Sequence, residues 1–161
     1  MSAGRERTAF ARSTAQAGGV YHRISYGPSE ANQLEIFADR AGAHPTFLMF
    51  HGGWWQEGSI DDAGRYAATL APLGATHVAV GYSLAPAATL SAIVAEASSA
   101  VTYLIEHATK LGCDVNRIVA GGHSAGAHLA ATLVTELAPV HVQRAISGLL
   151  LIGGAFDLEP I

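Results

Sequence analysis

The chain is poor in cysteine and has no long apolar run, and both shortages exclude whole classes of protein. Cys113 is the only cysteine among 161 residues, so no disulfide can form within the chain and no structural zinc–thiolate cluster is encoded. This cysteine usage fits a cytoplasmic location. No apolar run reaches the ~20 residues of a membrane-spanning helix, and the first residues lack the hydrophobic segment of a signal peptide. We therefore expect no membrane partner.

Charged residues are also scarce, at 14% of the chain against ~25% in a typical soluble domain. The nine basic residues are scattered apart from Arg5, Arg7 and Arg12, and the formal net charge is −4. Without a basic stripe, we expect no nucleic-acid partner. Half of the residues are hydrophobic. That share fits strands buried on both faces of a parallel sheet, or apolar surfaces that meet further elements.

Short apolar segments alternate with helical patterns along most of the chain. The predicted strands are residues 20–25, 34–38, 46–50, 76–82, 117–121 and 146–152. The predicted helices run from Ile60 to Gly74 with Asp61 or Asp62 as cap, from Thr89 to Leu111 with Gly112 as C-cap, and from Ala125 to Leu137 with Pro139 as a stop. Residues 1–19 fit either a frayed arm or a helix. The alternation predicts an α/β fold with a mostly parallel sheet and helices on both faces, whose ligands bind at the carboxyl ends of the strands.

The run Gly122-His123-Ser124-Ala125-Gly126 has the form G-x-S-x-G between a predicted strand and a predicted helix. This is the pattern of a nucleophile elbow, a turn so tight that glycines must flank the serine. The turn lifts the serine hydroxyl above the sheet, and the helix N-terminus favours developing negative charge. Ser124 is therefore the candidate nucleophile, and an ordinary strand-to-helix turn is the alternative.

A second glycine-rich segment, His51-Gly52-Gly53-Trp54-Trp55, follows the third predicted strand. Acyl transfer creates an oxyanion, and preorganised backbone N–H groups stabilise it. The candidate donors are the amides of Gly53, Trp54 and Ala125, and a plain Gly-Gly turn is the alternative. Trp54, Trp55 and His123 are candidates for a pocket wall, although one tryptophan can equally be core packing.

The eight histidines raise the question of a metal site. His123 and His128 are five residues apart and do not share a helix face, and no carboxylate stands at ligand spacing. We therefore expect no metal. His51 is predicted to hydrogen-bond neighbouring loops, and His128 to be a buried histidine with its hydrogen bonds satisfied.

The segments 51–55 and 122–128 together resemble the α/β-hydrolase superfamily. Within it they are most similar to the kynurenine formamidase (arylformamidase) family, whose oxyanion motif is H-G-G-x-W. Weaker matches at 26–28, 34–37 and 153–160 agree, so the resemblance covers residues from about 21 to 161. Hormone-sensitive-lipase-like esterases carry a related H-G-G-G segment, with Trp54 at the position of their third glycine.

The resemblance implies an eight-stranded fold and a Ser–Asp–His triad, and this chain offers about six strands. Residues 20–161 would then be the N-terminal part of the hydrolase domain, with acid and histidine expected beyond Ile161. Asp157 follows the sixth strand, but the matching aspartate of the family looks structural. The implied substrate is a small ester or N-formyl amide, such as N-formylkynurenine, and no cofactor is needed.

Three consequences follow for the chain itself. Without a base it is expected to be a poor catalyst, because only binding and oxyanion stabilisation remain. A sheet edge exposed by absent strands would favour a homo-oligomer or a complementing chain. A binding module that keeps the pocket without a triad is the alternative of another class.

Overall fold

A single mixed sheet organises the chain. The structure, a computed structural model, describes residues 3–18, 21–38 and 42–159. Its strands are β1 (Tyr21–Ser25), β2 (Gln33–Phe37), β3 (His44–Phe50), β4 (Thr76–Val80), β5 (Cys113–His123) and β6 (Ile146–Ile152). Their order in the sheet is β1-β2-β4-β3-β5-β6. Strands β4, β3, β5 and β6 are parallel, whereas β1 and β2 are antiparallel at one edge, which confirms the predicted mostly parallel α/β sheet.

Helices cover both faces of this sheet. They are α1 (Ala3–Gly18), α2 (Ile60–Gly64), α3 (Ala67–Leu70) with a following 3-10 turn (Ala71–Leu73), α4 (Leu90–Leu111), α5 (Ala125–Thr132) and α6 (Val140–Ala145). Side chains of α1, α2 and α3 pack on one face, and those of α4, α5 and α6 on the other. Neighbouring strand residues alternate between the two cores, as Leu48 and Met49 do. None of the described helices is long and apolar enough to cross a membrane.

The register of the central strands decides where the glycine-rich segments meet. Phe50, at the end of β3, is level with Val80 of β4 and Gly122 of β5. The chain leaves β3 and β5 at this level. His51 and Gly52 therefore lie beside His123 and Ser124.

The long helix α4 follows its sequence signals. The Thr89 hydroxyl accepts a hydrogen bond from the Ala92 N–H at 3.2 Å, which caps the first turn. Gly112 ends the helix with φ 68°, the left-handed conformation that glycine adopts without a steric penalty. Both ends of this predicted helix are confirmed.

The prediction of one helix from Ile60 to Gly74 was wrong. The segment is divided into α2, α3 and the 3-10 turn, and Ser59 is the N-cap in place of Asp61 or Asp62. Asp62 instead accepts a hydrogen bond from the Ser59 N–H at 3.0 Å. Helix α1 also lies against α2, since a Cβ on Gly64 would be 2.5 Å from Thr8 Cγ2. This contact with a distant segment has no local signal in the sequence.

The helix predicted to run from Ala125 to Leu137 is also too long. Helix α5 ends at Thr132, and the Thr132 and Thr135 hydroxyls donate to the carbonyls of Leu129 and Thr132 in the turns that follow. Pro139 is not a stop but the N-cap of a further helix, α6. Pro is well suited to the start of a helix because it lacks only an N–H that would have no partner there.

Residues 3–18 form a helix, and a charged cluster attaches it to the sheet. The Arg12 guanidinium donates two hydrogen bonds, of 2.7 and 2.6 Å, to the fully buried Glu35 carboxylate on β2. Tyr21 donates to the same carboxylate at 2.6 Å, and Arg12 also pairs with Asp61. A buried carboxylate is tolerated only with such partners.

Strand β6 lies at the other edge of the sheet. Within the described residues it pairs with β5 alone, and its apolar side chains Leu149, Leu150, Leu151 and Ile152 are 37–47% exposed.

We predict that Arg12→Met lowers the free energy of unfolding by about 3 kcal/mol, because it leaves Glu35 buried without its bidentate partner. Urea denaturation followed by circular dichroism measures the loss. Arg23→Met is the matched control, since Arg23 is half exposed and approaches Glu35 only to 3.5 Å. Equal losses in both variants would contradict the role given to Arg12.

The stability of the fold is also expected to depend on pH through His77 on β4. This ring is fully buried, with Nε2 3.0 Å from the Ala63 carbonyl, and burial lowers its pKa from 6.5 to about 4. The unfolded chain binds a proton below pH 6.5 and the folded chain does not, so stability is lost as the pH falls through this window. We predict a loss on the order of 3 kcal/mol between pH 7.5 and 4.5 from this residue.

His77→Gln keeps an amide donor for Ala63 but does not titrate. Urea denaturation of this variant at the two pH values should show a smaller loss than the wild-type chain. Some loss remains, because burial also lowers the pKa of His51 and of His128. An unchanged loss in the variant would rule out His77 as the cause.

Candidate active site

Ser124 lies in a strained turn between β5 and α5. Its backbone has φ 55° and ψ −121°, which a residue with a side chain adopts at a cost of roughly 1–3 kcal/mol. A Cβ on Gly122 would lie 2.0 Å from the Gly126 carbonyl carbon, and one on Gly126 would lie 2.3 Å from the Phe50 oxygen. The two glycines of the G-x-S-x-G pattern are therefore required by close backbone contacts.

Backbone hydrogen bonds to β6 and within α5 hold Ser124 in place. Its N–H donates to the Ile152 carbonyl of β6 at 2.8 Å, and its carbonyl accepts from Ala127 and His128 in the first turn of α5. Within the described residues the Ser124 hydroxyl makes no hydrogen bond. The hydroxyl is thus held in place by the backbone and not by a side-chain partner.

The turn after β3 lies directly against the elbow. A Cβ on Gly52 would be 2.8 Å from the His123 oxygen and 3.3 Å from Ser124 Cβ. The next residues, Gly53, Trp54 and Trp55, all have positive φ, at 123°, 52° and 58°. The backbone of this turn therefore differs from that of a strand or a right-handed helix at three consecutive residues.

The three candidate oxyanion donors are free to bind a ligand. The Gly53 carbonyl accepts from Gln56 and Glu57, both at 2.9 Å, which closes the turn. The N–H groups of Gly53, Trp54 and Ala125, however, have no acceptor within the part of the chain that the structure describes. Ala125 opens α5, where unpaired N–H groups and the helix dipole favour an anion.

His51 holds this turn in place through hydrogen bonds and ring stacking. It is 3% exposed, its Nδ1–H donates to the Gly52 carbonyl at 2.8 Å, and its ring stacks on Tyr82 with 4.1 Å between centroids. The Tyr82 hydroxyl donates to the His51 carbonyl at 2.7 Å. Burial lowers the pKa of His51, so the ring is neutral at pH 7. Tyr82 was not among the predicted site residues, and its position at the end of a predicted strand was the available signal.

The two tryptophans differ in their surroundings. Trp54 is 58% exposed beside the turn, whereas Trp55 is 6% exposed and belongs to the core shared with α4 and α5. The Trp55 carbonyl accepts from the Ala85 N–H at 2.7 Å, which ties the turn to the loop after β4. One tryptophan is therefore available to a ligand and the other is core packing.

The prediction that His128 is a satisfied buried histidine was wrong. Its Nδ1 is buried without a hydrogen-bond partner, and so is the indole nitrogen of Trp55. The two rings meet edge to face, with 5.1 Å between their centroids and 88° between their planes. His128 also lines an apolar cavity of about 310 Å³ with Leu90, Val94, Leu137 and Leu158.

His123 faces a different cavity. It is exposed and lines a space of about 410 Å³ together with the turn residues Gly52 and Gly53. Four of the side chains that line this cavity are charged, namely Arg5, Glu57, Asp62 and Arg65. The sequence analysis placed none of these four side chains at the site.

In residues 3–18, 21–38 and 42–159, no histidine or carboxylate side chain hydrogen-bonds the Ser124 hydroxyl. Asp157 is exposed, and its carboxylate accepts the Glu159 N–H at 3.2 Å. Within the same ranges no three His, Cys, Asp or Glu side chains are grouped as a metal site would require.

Comparison with known proteins agrees with this geometry. A sequence profile of the α/β-hydrolase fold matches residues 47–161. Kynurenine formamidase of Danio rerio is 35% identical over the whole of this chain, which covers 54% of that protein. The chain thus spans about half the length of the curated relatives it matches.

Solved structures show the same architecture. A candidate thioesterase from Silicibacter sp. TM1040 superposes with a TM-score of 0.85 at 26% identity, over 98% of this chain and 58% of that one. Thermogutta terrifontis esterase 2, phosphonylated by sarin, has a TM-score of 0.73 at 25% identity, over 88% of this chain and 57% of that one.

The profile match covers the third strand, the turn after it, the elbow and the sixth strand. These are the elements that build the site described above. The chain belongs to the α/β-hydrolase family, whose members include formamidases and esterases.

Proposed function

We propose that this chain carries the nucleophile and the oxyanion hole of a serine hydrolase that works through an acyl-enzyme. One observation carries the proposal: among the described residues, the hydroxyl of the strained Ser124 has no hydrogen-bond partner, and the amides of Gly53 and Trp54 in the neighbouring turn have no acceptor. Strain of this kind persists only where the surrounding structure imposes it, and it is concentrated at functional sites.

In the proposed reaction, Ser124 Oγ attacks the carbonyl carbon of the substrate and its proton passes to a base. The Gly53, Trp54 and Ala125 amides hold the oxyanion that forms. The carbon–nitrogen or carbon–oxygen bond then breaks, the leaving group takes up the proton, and water releases the acyl group from Ser124. The base belongs to residues other than those described, since none of the described side chains bonds to the Ser124 hydroxyl.

The substrate we favour is an N-formyl aromatic amine of the N-formylkynurenine type, cleaved to formate and the free amine. The support is the H-G-G-x-W segment at 51–55 and the similarity to kynurenine formamidase over the whole chain. A carboxylic ester is the second candidate, favoured by the structural similarity to esterase 2 of Thermogutta terrifontis. A binding module without turnover is the third, since no triad acid or base accompanies Ser124 in the described residues.

We predict that p-nitrophenyl acetate acetylates Ser124 faster than any other hydroxyl of the chain. Activated esters need little help from a base, and the oxyanion hole alone retains roughly a thousandfold catalysis over water. Peptide mass spectrometry after short exposure locates the acetyl group, and Ser124→Ala is the control. Acetylation spread evenly over exposed serines and lysines in the folded protein would contradict the proposal.

Turnover separates the candidate substrates. Hydrolysis of N-formylkynurenine that disappears in Ser124→Ala would support the formamidase, and hydrolysis of p-nitrophenyl esters alone would support the esterase. Binding of kynurenine without acetylation of Ser124 would support the binding module.

We further predict that Gly53→Ala slows the acetylation of Ser124 by roughly a hundredfold or more, the effect of losing one oxyanion donor. A Cβ at this position would lie 2.1 Å from the Glu57 carbonyl, so the turn must rearrange. Gly148→Ala on β6 is the matched control, because its Cβ meets Val119 at an ordinary 3.7 Å. Equal rates in the two variants would show that the turn does not contribute to the reaction.

A further inference from the structure

We infer that the charged cavity beside the oxyanion turn binds the α-amino acid group of the substrate, with Arg65 receiving its carboxylate and Glu57 its ammonium group. This inference rests on the proposed function and specifies the substrate class: an aromatic amide or amine that carries a free zwitterionic amino acid group.

The cavity is placed where a substrate held at Ser124 would extend. Its volume of about 410 Å³ suits a small metabolite, and its lining includes Gly52, Gly53 and His123. Gly52 lies against Ser124, because a Cβ there would be 3.3 Å from Ser124 Cβ. A ligand in this cavity therefore lies against the turn that carries the proposed donor Gly53 and beside His123, the residue that precedes Ser124.

Two of the four charged side chains of the cavity form an ion pair with each other, and the other two form none with the described residues. Arg5 lies 3.6 Å from Asp62, and Asp62 also accepts the Ser59 N–H. Arg65 and Glu57 form no ion pair with any residue that the structure describes. One cation and one anion thus remain for a ligand.

Contacts with Tyr66 restrict the orientation of the Arg65 guanidinium. Its guanidinium donates to the Tyr66 hydroxyl at 2.8 Å and lies over the Tyr66 ring, 4.9 Å from the centroid. Stacking on an aromatic ring restricts the side chain while leaving other N–H groups of the planar fork free for bidentate bonds. Fewer rotamers are then lost when a carboxylate binds.

Glu57 stands at the end of the cavity nearest the reacting groups. A Cβ on Gly53 would be 3.0 Å from Glu57 Cγ, so the glutamate stem borders the proposed oxyanion donor. An unpaired carboxylate here repels a simple anionic substrate and attracts an ammonium group. A neutral zwitterion satisfies both Arg65 and Glu57, whereas a plain acid or a plain amine leaves one of them unmatched.

The test measures binding of kynurenine, the amine expected from the proposed reaction, to the folded chain by isothermal titration calorimetry. The comparison ligand is ortho-aminoacetophenone, which has the same aromatic ketone without the amino acid group. We expect kynurenine to bind at least tenfold more tightly, with the advantage reduced in about 0.5 M salt because exposed charges are screened.

Arg65→Gln and Glu57→Gln should each remove most of this advantage, and Arg65→Lys should restore part of it. The controls are Arg7→Gln and Glu106→Gln, exposed charges outside the cavity. Thermal denaturation confirms that each variant is folded. Unchanged kynurenine affinity in Arg65→Gln and Glu57→Gln, or equal affinity of the wild-type chain for the two ligands, would overturn the inference.

The outcome can be separated from that of the proposed function. Acetylation of Ser124 by p-nitrophenyl acetate involves no amino acid group, so acetylation of the wild-type chain reports on the acyl-enzyme independently of kynurenine binding. Acetylation with no preference for kynurenine would overturn only the amino acid site. Preference for kynurenine without acetylation would overturn only the acyl-enzyme.

Discussion

The site depends on one constraint, the close backbone contacts of glycine residues at the carboxyl ends of β3 and β5. Gly126 lies so close to the end of β3 that a Cβ would be 2.4 Å from the His51 oxygen, and a Cβ on Gly52 would be 2.8 Å from the His123 oxygen. Any side chain at these positions would push the turn and the elbow apart. The distance between Ser124 and the free amides of the turn is therefore set by glycine packing and not by hydrogen bonds between side chains.

Strain is the cost of this arrangement, and the core offsets it. Four residues in the two turns have positive φ, three of which carry side chains, at roughly 1–3 kcal/mol each. Trp55 anchors the first turn in the core, where burial of an aromatic side chain contributes about 2–3 kcal/mol. The second turn is held by the first turn of α5 and by the bond from Ser124 to β6.

The site was predictable from the sequence where its causes are local, and not where they are distant. Glycines flanking a serine after a strand are a local pattern, and Ser124 does lie in a strained turn between β5 and α5, against the turn that follows β3. Gly64, where α2 ends, packs against Thr8, more than fifty positions away, and such tertiary contacts override local helix propensity. The buried pair of Arg12 and Glu35 joins α1 to β2 in the same non-local way.

His128 illustrates the limit most clearly. A histidine in the first turn of a buried helix is normally hydrogen-bonded, and that rule predicted a satisfied ring. In the structure the ring instead packs edge to face on Trp55, a residue far away in the sequence, and its Nδ1 has no hydrogen-bond partner among the described residues. The four charged side chains of the larger cavity were missed for a related reason. They come from α1, from α2 and its C-cap Arg65, and from the 53–58 turn, and no spacing in the sequence brings them together.

The nucleophile turn also depends on the outermost strand. Ser124 N–H bonds to the last residue of β6, whose apolar side chains are exposed and which pairs on one side only within the described residues. An edge strand frays more readily than a central one, because fewer backbone hydrogen bonds and contacts hold it. Fraying of β6 would release the Ser124 N–H and relax the strained φ of the elbow. Contacts that order β6 would therefore also order Ser124, the proposed nucleophile.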